Sequence, residues 1–136
     1  MKIRKYKSKD KRNLIRLWKE AFPNDPPHND PSEVIDAKLS MDDLIFVAIN
    51  DEEVVGVCMA GYDKHRGWLY AVAVTEHRRR NGVGTSLVKH AVNTLKKMGC
   101  IKVNVQIRST NKSVIDFYKR LGFDVEDRVS MGLSVG

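Results

Sequence analysis

Residues 68–74 form an unbroken apolar run, which leads through a basic, glycine-containing loop into an amphipathic helical segment. The run is apolar enough to be a central strand of a sheet. Residues 82–98 carry apolar side chains at helical spacing, and residues 101–107 alternate as a second strand. A strand, a helix and a strand in this order predict that the two strands lie parallel. This unit predicts a domain that combines helices with a mixed sheet.

Further strands and helices are predicted on both sides of this unit. Residues 44–49, 54–62 and 68–74 are joined by short turns, which predicts an antiparallel meander. Residues 2–6 predict a short first strand, and residues 123–126 and 129–134 predict a final hairpin. Apolar spacing predicts other helices ending near Phe22, beginning near Pro31 and running from Asn111 to Leu121. We therefore expect an α+β fold with a mixed, largely antiparallel sheet of six to seven strands and about four helices.

The length and composition fit one soluble domain spanning residues 1–136. No apolar run approaches the roughly 20 residues of a membrane span, and the N-terminus has no apolar stretch like a secretory signal. We therefore expect a cytoplasmic protein without membrane contact. Cys58 and Cys100 are far apart, and no two of the four histidines have the spacing of a zinc site, so no metal is predicted.

The net charge of +7 is concentrated at the N-terminus, where seven of the first twelve residues are Lys or Arg. A basic surface attracts anions of several kinds. The segment can be a solvated face of a strand and a helix, or it can dock an acidic substrate or RNA. Aromatic residues do not interleave with the basic ones as they do in single-strand binders, which disfavours nucleic acid.

The loop that follows residues 68–74 has the features of an anion site. It contains Arg79, Arg80, Asn81, Gly82, Val83 and Gly84. The first N–H groups of a helix lack intrahelical partners, and glycines let the backbone bring several of them toward one anion. The Gly-Lys-Ser/Thr ending of a Walker loop is absent, and Leu87 stands where a Rossmann fingerprint needs its third glycine. Alone, the pattern can also be a basic, glycine-softened helix start.

Two motifs together resemble the GNAT acetyltransferase superfamily. Arg79-x-x-Gly82-x-Gly84 after a Val-x-Val strand is similar to the family's acetyl-CoA signature. Asn111, Tyr118 and the following Gly122-Phe123 resemble its second landmark, at the family's usual separation. The predicted order of elements is also that of the family, so the resemblance covers nearly the whole chain. The stretch 29–31 and the turn 61–67 resemble a small bacterial and archaeal branch typified by YpeA-like proteins.

The resemblance implies an N-acetyltransferase that moves the acetyl group of acetyl-CoA to a primary amine by direct attack in a ternary complex. The acceptor is left open among protein N-termini, lysines and small amines. The residues implied to hold acetyl-CoA are Val72, Ala73, Val74, Arg79, Arg80, Asn81, Gly82, Val83, Gly84, Thr85 and Asn111. Tyr118 is implied to protonate the departing thiolate, which a phenol with a pKa near 10 can do. The alternative is that Tyr118 only packs its ring against neighbouring apolar side chains.

The residue that would act as general base is not identified by the resemblance. Where the family's N-terminal acetyltransferases often carry a Glu five residues before the Asn, this chain has Gln106, which cannot accept the proton. The remaining polar candidates are Glu76, His77, Asp63 and His65, and a water chain is an equal alternative. An acceptor such as an α-amino group, with a pKa of about 7.7–8.0, needs less help.

Residues on the acceptor side are suggested by position alone. They are Tyr62, Asp63 and His65 in the turn between two central strands, and Asn29 before the second helix. A plain hairpin loop is the alternative for the turn. The second hypothesis for the whole chain is a coenzyme A-binding, nucleic-acid-binding or partner-binding module with this fold and little catalysis. The chain is expected to be a monomer or a homodimer.

Overall fold

A computed structural model describes residues 1–79 and 81–136 in two compact units, Met1–Gln106 and Ile107–Gly136. The first unit holds a five-stranded sheet of β1 (Lys2–Lys5), β2 (Ile45–Asn50), β3 (Glu53–Tyr62), β4 (Gly67–Val74) and β5 (Val103–Val105). Its helices are α1 (Lys11–Ala21), α2 (Pro31–Met41) and α3 (Val83–Lys97). The strands follow one another in sequence order, antiparallel except for the parallel pair of β4 and β5. The predicted α+β fold with a mixed, largely antiparallel sheet is confirmed.

Helices α1 and α2 cover one face of the sheet. The side chains of Leu14, Leu17 and Trp18 on α1 and of Ile35 on α2 are buried in one cluster with sheet residues. The members contributed by the strands are Ile45, Val47, Val54, Val57, Met59 and Ala73. Successive side chains of a strand point to opposite faces, so these residues alternate with those that meet α3.

Helix α3 packs against the other face of the sheet. The ring of Phe46, which lies between Ile45 and Val47, meets the ring of His90 on α3 edge-on at 5.2 Å between centroids. Gly56 of β3 lies beneath the first turns of this helix. A Cβ atom there would be 2.8 Å from Leu87 Cδ1 and 3.0 Å from Val83 Cγ1. The missing side chain of Gly56 therefore sets how closely the start of α3 approaches the sheet.

Replacing Gly56 by Ala is expected to lower the free energy of unfolding by about 1–3 kcal/mol, the usual cost of overpacking a core. The added methyl would have to displace Leu87 and the first turn of α3. Gly61→Ala in the same strand is a matched control, because its Cβ would meet its nearest neighbours at 3.8 and 4.0 Å. Chemical denaturation of both variants measures the difference. Equal losses would mean that α3 does not rest on Gly56.

The second unit contains one helix, α4 (Lys112–Arg120). Asn111 begins it as predicted, because its side-chain oxygen accepts a hydrogen bond from the N–H of Val114 at 3.4 Å. The helix ends before Gly122, whose φ of +95° lies in the left-handed region that favours glycine. The ring of Tyr118 meets those of Phe117 and Phe123 edge-on, at 5.0 and 5.2 Å between centroids.

The prediction of a final hairpin over residues 123–126 and 129–134 is wrong. Residues 123–136 form neither strand nor helix. Four apolar side chains within these ranges are 73–91% exposed: Val125, Val129, Met131 and Leu133. Two strands alone are marginally stable in water unless something covers their apolar face. The predicted six to seven strands are therefore five in the part of the chain that the structure describes.

Candidate functional site

Strand β4 extends beyond its parallel neighbour. Its pairing with β5 runs from Gly67 opposite Val103 to Leu69 opposite Val105. The strand itself continues to Val74. Its last five residues therefore extend past the ladder with β5, on the side that leads to the glycine-containing loop. An extended ligand can pair with such an edge through main-chain hydrogen bonds, as an added strand would.

A bulge interrupts β4 within this extending part. Val57 of β3 faces Ala73, whereas Met59 faces Tyr70, so the register shifts by one residue between them. Ala71 in the bulge has a φ of +51°, which is unusual for a residue with a side chain. Bulges bend a strand and leave one residue out of the ladder, and they are common beside active sites. The bulge lies where Val72, Ala73 and Val74 were predicted to offer their main chain.

The loop after β4 ends at Gly82, where α3 begins. This residue is the N-cap, with φ of +80° and ψ of 4°, and in the described part of the chain no side chain caps the helix. The N–H groups of the first turn, including those of Gly84 and Thr85, are without intrahelical acceptors by geometry. The side chain of Val83 is buried at 3% exposure. The first turn is thus anchored in the core while its N–H groups face outward along the helix axis, where the helix dipole favours an anion.

One arginine of this loop, Arg79, has a defined hydrogen-bond partner. Arg79 Nε donates a hydrogen bond to the carbonyl oxygen of Val74 at 3.1 Å. The bond therefore ties the loop to the end of β4, while the Arg79 side chain as a whole stays exposed. Asn81 is exposed. Arg80, predicted to belong to the same site, lies outside the described residues.

Glu20 at the end of α1 is a neighbour of this loop that the sequence did not suggest. Its carboxylate accepts a hydrogen bond from the N–H of Glu76 at 3.2 Å. Glu76 and His77, two of the candidate bases, are exposed in the short 3-10 turn Glu76–Arg78. The contact fixes the start of this turn against α1. No local sequence pattern links two residues 56 positions apart, so only the tertiary structure shows it.

The turn between β3 and β4 lies at the far end of β4 from the loop. Eight residues of extended chain separate the two, about 23 Å. Asp63 closes this turn, since its Oδ1 accepts hydrogen bonds from the N–H groups of His65 and Arg66 at 2.8 and 2.7 Å. The main-chain N–H groups of Arg66 and His65 lower the pKa of Asp63, which makes it a poorer base. Tyr62 lies under the ammonium of Lys64, 5.6 Å from the ring centroid.

A second group that the sequence did not suggest lies nearer the extending part of β4. Lys38 of α2 is only 8% exposed, its ammonium is 2.8 Å from Asp42 Oδ1, and it lies 5.6 Å from the ring centroid of Tyr70. Tyr70 is the first β4 residue beyond the ladder with β5, and it is 40% exposed. Asn29, proposed for the acceptor side, is half-buried in the 3-10 turn Pro27–Asn29 before α2.

The second unit carries the two remaining candidates. Asn111 Oδ1 caps α4, which leaves the amide NH₂ of the same side chain available to donate. Tyr118 is 4% exposed, with its ring fixed between Phe117 and Phe123. Seven residues return to nearly the same side of a helix, so the cap and Tyr118 lie along one line on α4.

The described residues include a buried thiol and contain no grouping of metal-binding side chains. Burial raises the pKa of the Cys58 thiol to about 12, so it is protonated and unreactive at neutral pH. Among residues 1–79 and 81–136, no three His, Cys, Asp or Glu side chains are grouped as a metal site would require. Within the same residues, no helix has the length and apolarity needed to cross a membrane.

Comparisons with known proteins place this chain in a family. A model of the acetyltransferase (GNAT) family matches residues 11–123. The chain is 38% identical over 130 residues to an acetyltransferase of Sodalis glossinidius, covering 95% of this chain and 91% of the relative. It is 35% identical over 133 residues to an acetyltransferase of Pectobacterium atrosepticum, covering 97% and 94%.

A solved structure shows the same fold at lower identity. The PaiA N-acetyltransferase of Thermoplasma acidophilum, in complex with coenzyme A, superposes with a TM-score of 0.78 at 20% identity. The match covers 94% of this chain and 92% of that one. At this identity the likeness concerns the fold, and it supports the arrangement of strands and helices described above.

Proposed function

The chain belongs to the GNAT family of acetyltransferases, and from this we propose that it transfers an acetyl group from acetyl-CoA to a primary amine by direct attack in a ternary complex. The acceptor class is a protein N-terminus, a lysine or a small amine. One observation carries the proposal. The part of β4 that extends past β5 is followed by a short loop, and this loop ends at Gly82, the left-handed N-cap of α3.

The residues present fit acetyl-CoA as the co-substrate. Gly82 is left-handed, and among the described residues no atom beyond its chain neighbours and its own helix lies within 4 Å of where a Cβ would be, which supports close approach of a pyrophosphate to the N–H groups of Val83, Gly84 and Thr85. The main chain of Val72, Ala73 and Val74 would pair with the pantetheine arm, and the amide of Asn111 would donate to it. Acetyl-CoA supplies the acetyl thioester that the amine attacks.

Arg79 has a supporting role in this proposal. Its guanidinium is bonded to the carbonyl of Val74, so it holds the end of β4 and the loop in one geometry. Its charge remains next to the loop and adds to the positive potential for a pyrophosphate. Arg80 and Asn81 complete the proposed loop by sequence.

Tyr118 is proposed as the general acid. A phenol with an ordinary pKa near 10 is protonated at neutral pH and can donate its proton to the sulfur of the departing coenzyme A. The rings of Phe117 and Phe123 fix the orientation of the Tyr118 ring. A fixed donor costs little entropy at the moment of reaction.

The proton of the acceptor amine is proposed to leave through one of the exposed polar side chains near the site or through water. Gln106 cannot take it, and the carboxylate of Asp63 closes a turn at the far end of β4. Glu76, His77 and His65 remain candidates, together with water. An acceptor whose amine pKa lies near 7.7–8.0 is partly neutral at physiological pH and suits such a site.

Gln106 also favours a second candidate function, a protein that binds coenzyme A and transfers acetyl groups slowly. The two candidates separate in one experiment, in which a panel of peptides with free N-termini, lysine peptides, polyamines and small amines is incubated with acetyl-CoA. Acetyl transfer predicts acceptor-dependent release of the coenzyme A thiol. A rate that no acceptor raises, together with tight coenzyme A binding, would support the second candidate.

Coenzyme A is expected to raise the Tm of the protein by several degrees. A ligand at about 100 times its Kd stabilises the folded state by about 2.7 kcal/mol, and each kcal/mol shifts Tm by roughly 2–8 °C for domains of this range of sizes. Differential scanning calorimetry measures the shift, and titration calorimetry gives the Kd. Pantetheine at the same concentration is the control, because it lacks the pyrophosphate that the loop is proposed to bind. Absence of a shift at millimolar coenzyme A would refute the binding half of the proposal.

A further inference from the structure

The positive charge of the chain comes from its first nineteen residues. They contain nine Lys or Arg and one acidic residue, a net charge of +8, whereas the whole chain carries +7. The remaining residues are therefore close to neutral, with a net charge of −1. Charge concentrated in one segment creates a local field that a uniformly basic surface lacks.

Four of these cations form a stripe along α1 and the turn before it. They are Lys9, Arg12, Arg16 and Lys19, spaced three, four and three residues apart, and all four are exposed. The opposite side of the helix carries the buried Leu14, Leu17 and Trp18. The stripe spans about 15 Å at the rise of an α-helix. We call these four residues the α1 stripe.

In the described part of the chain, the members of the α1 stripe lack the ion-pair partners of the neighbouring cations, although Lys9 lies in the field of Asp10. Three other cations of the segment have carboxylate partners: Arg4 with Asp10, Lys5 with Asp43 and Lys11 with Asp36. Within residues 1–79 and 81–136, no member of the stripe forms an ion pair, and Arg16 instead donates to Asn13 Oδ1 at 2.7 Å. Like charges three or four residues apart on a helix repel one another by a few tenths of a kcal/mol per pair. A polyanion would relieve this repulsion.

The beginning of the stripe is held rigidly. The buried carboxylate of Asp10 accepts hydrogen bonds from both terminal nitrogens of Arg4, at 2.7 and 2.9 Å, and from the N–H of Lys7 at 2.8 Å. These bonds tie β1 to the 3-10 turn Ser8–Asp10. A shallow open groove lies on the surface of this turn and the start of α1. It is lined by Ser8, Lys9, Lys11, Arg12 and Ile15. Because the main chain here is held before any ligand arrives, binding would cost little backbone ordering entropy.

We propose that the α1 stripe binds an acidic segment of a polypeptide. An extended segment of about five residues matches the length of the stripe at roughly 3.3 Å per residue. Nucleic acid fits less well, because single-stranded binding relies on exposed aromatic rings for base stacking. Trp18 is 5% exposed and Tyr6 is half-buried, so neither aromatic residue of the segment offers a free ring face. The proposal is independent of acetyl transfer, since it concerns binding at a surface of its own.

Fluorescence anisotropy at low salt tests the proposal with two probes of equal charge, a capped oligoglutamate peptide of about eight residues and single-stranded oligothymidylate. The triple variant Arg12→Gln/Arg16→Gln/Lys19→Gln is expected to bind the peptide at least about tenfold more weakly than the unmodified protein. The matched control Lys89→Gln/Lys96→Gln/Lys97→Gln removes the same charge from exposed positions of α3 and should bind as the unmodified protein does. Raising the salt should weaken peptide binding.

The double variant Arg12→Lys/Arg16→Lys keeps the charge and is expected to retain peptide binding, which separates loss of charge from loss of fold. Thermal melts of each variant provide the folding check. No peptide binding to the unmodified protein, an equal loss in the α3 control, or tighter binding of oligothymidylate than of the peptide would each overturn the proposal. The last outcome would reassign the surface to nucleic acid.

Discussion

Replacing Gly82 by Val is expected to weaken coenzyme A binding by at least about 100-fold. Gly82 has a φ of +80°, where a β-branched residue is a genuine outlier, so the substituted loop would turn its backbone to escape the strain. That turn would move the N–H groups of Val83 and Gly84 away from the pyrophosphate. Two hydrogen bonds to a charged group contribute roughly 1.5–3 kcal/mol each, so their loss exceeds the 2.7 kcal/mol or so that 100-fold represents.

Gly122→Val is the matched control for this prediction. Gly122 has a φ of +95°, and for both glycines no atom of the described residues, apart from their chain neighbours and their own helix, lies within 4 Å of where a Cβ would be. The two substitutions thus impose similar backbone strain, and both should lower the free energy of unfolding by about 1–2 kcal/mol. Only the change at Gly82 should reduce affinity for coenzyme A in titration calorimetry. Equal affinities in the two variants would show that the start of α3 is not the pyrophosphate site.

Tyr118→Phe is expected to lower kcat by about 10²–10⁴-fold while leaving the Kd for acetyl-CoA nearly unchanged. General acid catalysis contributes a factor of this size, and phenylalanine removes the only proton that the ring can donate. The ring itself stays, so its edge-on contacts with Phe117 and Phe123 are preserved. Steady-state rates with a responsive amine, compared with the Kd from calorimetry, measure the two quantities separately.

Tyr6→Phe provides the comparison, because it removes a half-buried phenol at the end of β1, outside the proposed site. It should leave kcat unchanged. A Tyr118→Phe variant that loses acetyl-CoA affinity while it keeps its kcat would assign the phenol to binding instead. A variant with both quantities unchanged would leave Tyr118 as a packing residue and remove it from the proposed mechanism.

Most of the first unit could be predicted from the sequence, because its strands and helices have strong periodic patterns. The apolar residues of β4 and the helical stripe of α3 locate the loop between them to within a residue or two. The cap at Asn111 could also be predicted from the sequence, since an Asn directly before a helical pattern is a preferred N-cap. Each of these features is decided by residues near one another in sequence.

The prediction of a final hairpin was wrong because it depended on contacts between residues far apart in sequence. Apolar residues in 123–126 and 129–134 predict which side chains would share a face of a strand, but they do not show whether anything covers that face. Here Val125, Val129, Met131 and Leu133 remain exposed, so apolar residues occur at these positions without a strand. The number of strands therefore depended on tertiary contacts that periodicity does not report.

The local sequence pattern also does not predict the bulge at Ala71 or the burial of Lys38. A positive φ usually signals glycine or asparagine, and an alanine gives no such sign. Lysine is rarely buried, yet Lys38 lies three residues after Ile35 on the same side of α2 and has Asp42 as its partner. Glu20 and Glu76 meet only because α1 and the end of β4 are packed together. The assignment to the YpeA-like branch stays a prediction.

The burial of both cysteines has a practical consequence for measuring the enzyme. Cys58 is fully buried with its pKa raised to about 12, and Cys100 is 7% exposed with its Sγ donating to the carbonyl of Lys102. Colorimetric disulfide reagents attack accessible thiolates, so the folded protein should contribute almost no background colour. The signal in a continuous assay should then come from released coenzyme A alone. A slow rise in colour without acetyl-CoA would report unfolding.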